Sequence, residues 1–177
     1  MRIRLDQVRY EPFHFAETVS IPAASLERPE LTALSPVTWR GQIHFADPGF
    51  LLKARYQYEQ SLTCNRCLRP IVEPVASNLD LTIFVAAPRP LGGEQELDED
   101  DLGVVTLQDE NLETEPLLVE QLQLNIPMKP LCRPDCAGLC PTCGADLNLG
   151  ACGCPTGGSD PRWAGLQLLK DRLNERN

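Results

Sequence analysis

VTWRGQIHFADPGFLLKARYQYEQSLTCNRC, residues 37–67, decides how the first half of this chain folds. Val37, Trp39, Ile43 and Phe45 fall on one face of a period-2 pattern, with Gly41 interrupting it; Arg40, Gln42 and His44 fall on the other. Ala46-Asp47-Pro48-Gly49 is a turn signal. Alternation then resumes, with Leu52, Ala54, Tyr56, Tyr58 and Leu62 opposed to Lys53, Arg55, Gln57 and Glu59. Two such runs around a short Pro-Gly turn predict a β-hairpin, and its second strand delivers the chain to Cys64-Asn65-Arg66-Cys67.

Further strands are expected on both sides. Val75, Leu79, Leu81, Ile83 and Val85 share one face of a third run, while Ile3, Leu5 and the stretch Phe13–Val19 offer one or two more. Strands at this spacing predict an antiparallel sheet or a small barrel. His14 and His44 lie inside strand-like runs and read as sheet residues rather than as ligands or bases. Trp39 and Trp163 read as packing residues.

Eight cysteines fall into four close pairs: Cys64/Cys67, Cys132/Cys136, Cys140/Cys143 and Cys152/Cys154. Eight thiols in four pairs match two tetrahedral all-cysteine zinc sites, and such closed sites leave no position for a substrate or a reactive water. Cys140-Pro141-Thr142-Cys143-Gly144 has the form of a zinc knuckle, the glycine permitting the tight backbone that aims amides at the sulfurs. If each pair stays on one metal, three combinations exist. Loop closure favours joining Cys140/Cys143 to Cys152/Cys154, with only residues 144–151 between them. That leaves Cys64/Cys67 with Cys132/Cys136, a pairing that would pin the C-terminal tail to the β domain. The rival joins 132/136 to 140/143 and 64/67 to 152/154. A disulfide framework suits a secreted chain, a redox CxxC needs a βαβ context, and an iron–sulfur cluster uses the same four thiolates.

The net charge of −9 is concentrated: residues 94–120 hold eleven acids and no base, and the remainder is close to balance. This argues against a broad non-specific phosphate clamp and leaves room for a local basic patch. Residues 88–113 are expected to form an acidic loop, solvated or able to dock a basic partner. Thr114 offers an N-cap for a helix over 114–126, with Leu118, Leu122 and Ile126 on one face. Asp160 and Pro161 open a final helix within 156–177. No apolar leader stands in the first residues and no run is long enough to span a membrane, so a cytoplasmic protein is expected. There is no G-x-S-x-G, H-E-x-x-H or P-loop, and no enzyme activity or small-molecule substrate is expected.

The resulting fold class is α+β. It comprises a β-rich domain over 1–130 with its acidic loop and helix, a zinc-ribbon-like cysteine segment over 131–155, and a terminal helix over 156–177. The pieces Cys64-Asn-Arg-Cys67-Leu68, Pro127-Met-Lys-Pro130-Leu-Cys132, Cys136-Ala-Gly-Leu-Cys140-Pro-Thr-Cys143-Gly144-Ala-Asp-Leu147-Asn148, Cys152-Gly-Cys154 and Asp160-Pro161-Arg162 resemble the YceD family across nearly the whole chain. The resemblance implies a role in accumulation of large-subunit ribosomal RNA, with that RNA or a large-subunit ribosomal protein as partner, and no established catalysis. It also implies that the downstream cysteines, not kept by every member, are a stabilising addition. Alternative readings are a zinc-dependent protein adaptor without RNA contact and a redox-sensing zinc protein.

Overall fold

The computed structural model describes residues 1–85 and 103–155. Contacts between backbone positions divide the chain after Pro134 into two units, Met1–Pro134 and Asp135–Asn177. The expected helix within 156–177, the acidic run 94–101 and Trp163 lie outside the described residues.

In the first unit the order is β1 (Arg2–Arg4), α1 (Leu5–Val8), β2 (Phe13–Val19), a 3-10 turn (Ala23–Leu26), β3 (Leu31–Leu34), β4 (Val37–Ala46), β5 (Gly49–Thr63), β6 (Pro70–Val85), β7 (Val104–Leu107), β8 (Asn111–Glu113) and α2 (Thr114–Asn125). The hairpin forms as the alternation demands: Ala46 pairs with Gly49 across the turn, and Trp39 pairs with Tyr56. The β5 strand is the spine of a sheet ordered β2-β4-β5-β6-β7. One of its edges pairs with β4 and then, from Gln60 to Leu62, with β3; the other pairs with β6 from Phe50 to Thr63. No pairing among the described strands closes β2 onto β7, so the sheet-or-barrel alternative resolves to an open sheet.

One face of this sheet carries the core. Trp39, Ile43, Phe50, Leu52, Tyr56, Leu62 and Ile83 are fully buried, together with Leu26, Leu112 and the α2 residues Leu118 and Leu122. Phe15 packs on Trp39 at 4.6 Å between ring centroids. The Trp39 indole N–H donates to Glu17 at 2.7 Å, so the buried ring keeps its polar partner. The amide of Asn125 donates to the Tyr56 hydroxyl at 2.6 Å, and Arg28 donates to the Ile126 carbonyl at 3.3 Å, which fixes the C-terminal end of α2. Gly41 is required by close approach: a Cβ there would lie 2.5 Å from the Lys53 carbonyl oxygen and 2.8 Å from Ala54.

Three expectations are corrected, and a fourth is met only in part. Leu5 does not extend a strand; it opens α1 and is buried there. Residues 88–113 are not loop throughout. Val104–Leu107 adds a strand parallel to β6, and Asn111–Glu113 pairs with β1 in a separate two-stranded sheet. The parallel pairing needs a crossover of about a dozen residues or more, which is why a long segment separates β6 from β7. Thr114 is the first helical residue and not the cap. Its hydroxyl donates to the Met1 carbonyl at 3.0 Å, and Glu113, at the capping position, holds Arg2 at 2.6 Å instead. The ribbon-like segment is reduced, among residues 135–155, to one isolated antiparallel bridge between Leu139 and Asp146.

Candidate metal centres

The β5 strand ends at Thr63, and the chain turns at once through Cys64-Asn65-Arg66-Cys67-Leu68-Arg69. The Cys64 N–H donates to the Arg69 carbonyl at 2.9 Å and the Leu68 N–H to the Cys64 carbonyl at 3.0 Å. The Asn65 N–H donates to the Pro130 carbonyl at 2.9 Å, holding the stretch after α2 against this turn. Cys132 follows two residues later, and its N–H points at the Cys64 sulfur at 3.4 Å. Cys67 and Cys132 lie sulfur to sulfur at 3.6 Å.

The second turn, Cys140-Pro141-Thr142-Cys143-Gly144-Ala145, repeats this scheme bond for bond. The Cys140 N–H donates to the Ala145 carbonyl at 2.8 Å and the Gly144 N–H to the Cys140 carbonyl at 2.9 Å. In both turns the residue after the second cysteine has a left-handed backbone, φ 75° at Gly144 and φ 59° at Leu68. Glycine takes that conformation freely, whereas leucine is strained in it.

All eight predicted ligands fall into two groups: Cys64, Cys67, Cys132 and Cys136, and Cys140, Cys143, Cys152 and Cys154. Within each, the four sulfurs lie within 4.8 Å of one another. This is the combination that loop closure favours, and the rival pairing is not formed. No disulfide joins any of the eight cysteines in this structure. With metal–sulfur bonds of about 2.3 Å, a tetrahedral ion sets its ligands about 3.8 Å apart. The 3.6 Å separation of Cys67 and Cys132 fits that edge, so each group could hold one metal ion.

The surroundings are those of thiolate ligands. Burial opposes ionisation of Cys64, but the N–H groups of Cys67, Cys132 and Arg66 outweigh it and lower the thiol from 9.0 to about 6. Cys67 is lowered chiefly by a hydrogen bond from Arg69. The N–H groups of Cys143 and Thr142 bring Cys140 to about 6. Sharing protons with Cys143 pushes Cys154 up to about 11; at Cys152 the Cys154 N–H lowers the thiol, but hydrogen bonding to Cys140 and Cys143 together with burial outweighs it and the thiol is raised. Four sulfurs this close cannot all ionise without a cation between them.

Asn148 is a supporting residue that the cysteine spacing does not reveal. Its amide nitrogen donates to the Cys136 sulfur at 3.5 Å and to Asp146 at 2.6 Å, while its carbonyl oxygen accepts the Ala137 N–H at 2.8 Å. The signal for it in the sequence is the Asp-Leu-Asn run after the glycine, where short polar side chains fold back on the backbone. His14 and His44 sit on β2 and β4, in neither cysteine group.

Among the described residues no helix is long and apolar enough to cross a membrane. The family model described as large ribosomal RNA subunit accumulation protein YceD matches residues 52–170, a span that includes every cysteine. An uncharacterized protein of Mycobacterium tuberculosis (strain ATCC 25618 / H37Rv) is 39% identical over 103 residues, 58% of this chain and 47% of the relative. The chain thus spans about half the length of its mycobacterial relatives. A chloroplastic maize protein named large ribosomal RNA subunit accumulation protein YCED homolog 1 is 27% identical over 110 residues, 50% of this chain and 38% of the relative. The uncharacterized protein YlbN of Bacillus subtilis (strain 168) is 25% identical over 174 residues, 97% of this chain and 96% of the relative. No solved structure matches. With the family model covering more than half of the chain and both cysteine groups inside it, this protein belongs to the YceD family.

Proposed function

We propose that this chain is a non-enzymatic ribosome-biogenesis factor that supports accumulation of large-subunit ribosomal RNA. It acts by binding that RNA, a large-subunit ribosomal protein, or both, in the cytoplasm, and two structural zinc ions hold its cysteine-bearing segments. The observation that carries the reading is the family match over residues 52–170, whose description names that RNA. The two four-thiol groups support the structural role of zinc: an ion held by four thiolates has no open position for chemistry, and it substitutes for core that a Pro- and Gly-rich segment does not supply. Thiols inclined toward the thiolate by backbone amides, with the four sulfurs of each group within 4.8 Å of one another, support a single tetrahedral ion in each group.

The test is the ratio of large- to small-subunit ribosomal RNA in cells lacking the chain, with and without complementation. A depressed ratio restored by the wild-type chain, and not by Cys64→Ser, supports the reading. An unchanged ratio in the deletion strain refutes it.

A further inference from the structure

The face of the main sheet opposite the core carries a basic cluster. Arg40 on β4 and Arg55 on β5 are directly opposite each other in the ladder, flanked by Ala16 on β2 and Asn78 on β6. In the next row His14, Gln42, Lys53 and Asp80 stand side by side across the same four strands. Arg40, Arg55, Lys53 and His14 are exposed. These two rows line a shallow depression of about 530 Å³. Among the described residues no carboxylate lies within ion-pair distance of Arg40, Arg55 or Lys53. Asp80 is the one acid in the two rows, facing Lys53.

Like charges directly opposite each other across two strands destabilise a sheet. Stability alone would place an acid opposite one of these arginines, and the chain, with a net charge of −9, has acids in excess. An opposed arginine pair on an exposed, shallow face is instead suited to an anion. Rows two residues apart along a strand repeat at about 6.8 Å, which presents fixed positive charge as a short array rather than as a point. The two rows contain no Phe, Tyr or Trp, and Phe15, which also borders the depression, is buried against Trp39, so the stacking surface for an unpaired base is limited to the His14 ring and the guanidinium planes. An array of fixed positive charge with so little stacking surface suits backbone phosphates better than unpaired bases.

We propose that the outer face of β2, β4, β5 and β6, centred on Arg40 and Arg55, binds the phosphate backbone of double-helical RNA. This rests on the RNA-binding arm of the function proposed above and assigns it a surface.

The experiment measures binding of the zinc-loaded full-length chain to an RNA duplex of about 20 base pairs across a salt series, with poly-U of equal length as the unpaired probe. The wild-type chain should bind the duplex more tightly than poly-U. Arg40→Ala/Arg55→Ala should weaken duplex binding about tenfold or more and flatten the salt slope by about two, one for each phosphate contact removed. Its melting temperature should not fall, because the mutation relieves a repulsion, and a merely structural role would move it the other way. Arg2→Ala/Arg4→Ala, the same charge change on β1, should leave binding intact. Duplex binding that survives Arg40→Ala/Arg55→Ala overturns the surface and leaves the proposed function standing. Preference for poly-U overturns the backbone reading. If the wild-type chain binds neither RNA, and the double variant instead loses an acidic protein partner, the face is a protein-docking site and the RNA inference fails. Failure of the function itself shows separately, as an unchanged ribosomal RNA ratio in the deletion strain.

Discussion

Exchanging glycine and alanine after each CxxC should give an inverted ranking at both turns. Leu68 sits at φ 59° and is 64% exposed; Gly144 sits at φ 75° with nothing within 4 Å of where a Cβ would stand. A non-glycine residue in the left-handed region costs about 1–2 kcal/mol. Glycine costs about 0.5–1 kcal/mol more than alanine through the freedom it has when unfolded. The balance favours glycine over alanine by about 0.5–1 kcal/mol at both positions, the reverse of what holds inside a helix or strand. At Gly144 no clash adds to this, so Gly144→Ala should destabilise by about that amount and no more. At position 68, Leu68→Gly and Leu68→Ala lose the same one-third-buried side chain, and that term, about 0.5–1 kcal/mol, cancels between them. In a chain of this size 1 kcal/mol moves the melting temperature by about 2–4 °C. Thermal melts of the zinc-loaded protein should therefore place Leu68→Gly above Leu68→Ala by about 1–4 °C, and Gly144→Ala below wild type by a similar margin. The reasoning is refuted if Leu68→Gly melts below Leu68→Ala, or if Gly144→Ala melts at or above wild type.

Three further outcomes are expected. Elemental analysis should find two zinc ions per chain, falling to about one in Cys64→Ser and in Cys140→Ser; a single variant that loses both ions would show that the groups are not independent. Asn148→Ala removes the donor to the Cys136 sulfur and the acceptor of the Ala137 N–H, and should weaken metal retention about 10–100-fold in chelator competition. The metal-free chain should gain stability as pH rises from about 6 to 9. Cys64 and Cys140 are lowered from 9.0 to about 6 when folded, so their thiolates favour the native state above the folded value and lose that advantage as pH falls through it. Cys154, raised to about 11, opposes this mainly between pH 9 and 11. Chemical denaturation of the apo-protein at pH 6, 7.5 and 9 checks the sign; a flat profile would mean the amide hydrogen bonds to sulfur do not persist without metal.

The hairpin was legible because both of its signals are local. Alternation in Val37–Phe45 and Leu52–Leu62 assigns each side chain to a face before any partner strand is known, and Ala46-Asp47-Pro48-Gly49 marks the reversal. The grouping of the cysteines was legible for a different reason. Eight intervening residues close more readily than sixty-four, and residues 144–151 lie between one pair of pairs while residues 68–131 lie between the other. Val104–Leu107 was hidden inside an acidic context, because charge density in 94–101 says nothing about a four-residue run of β-branched and apolar residues that finds an edge of β6. Thr114 carried a cap signature, but the helix begins on it, which puts Glu113 at the capping position.

Arg40 and Arg55 bring the division into one place. Their residue types and their assignment to the solvent face follow from period-2 geometry, a property of consecutive dihedral angles that any reader of the chain can extract. That they stand opposite each other, rather than one register apart, depends on how β4 and β5 pair across the Asp47-Pro48 turn. The same holds at the cysteines: eight thiols and two CxxC turns are written in the chain, but four sulfurs within 4.8 Å require the segment after α2 to return to the end of β5. Local order is encoded by neighbours in sequence. Charge opposition and coordination are set by distances between atoms far apart in the chain, and only the closed fold fixes those distances.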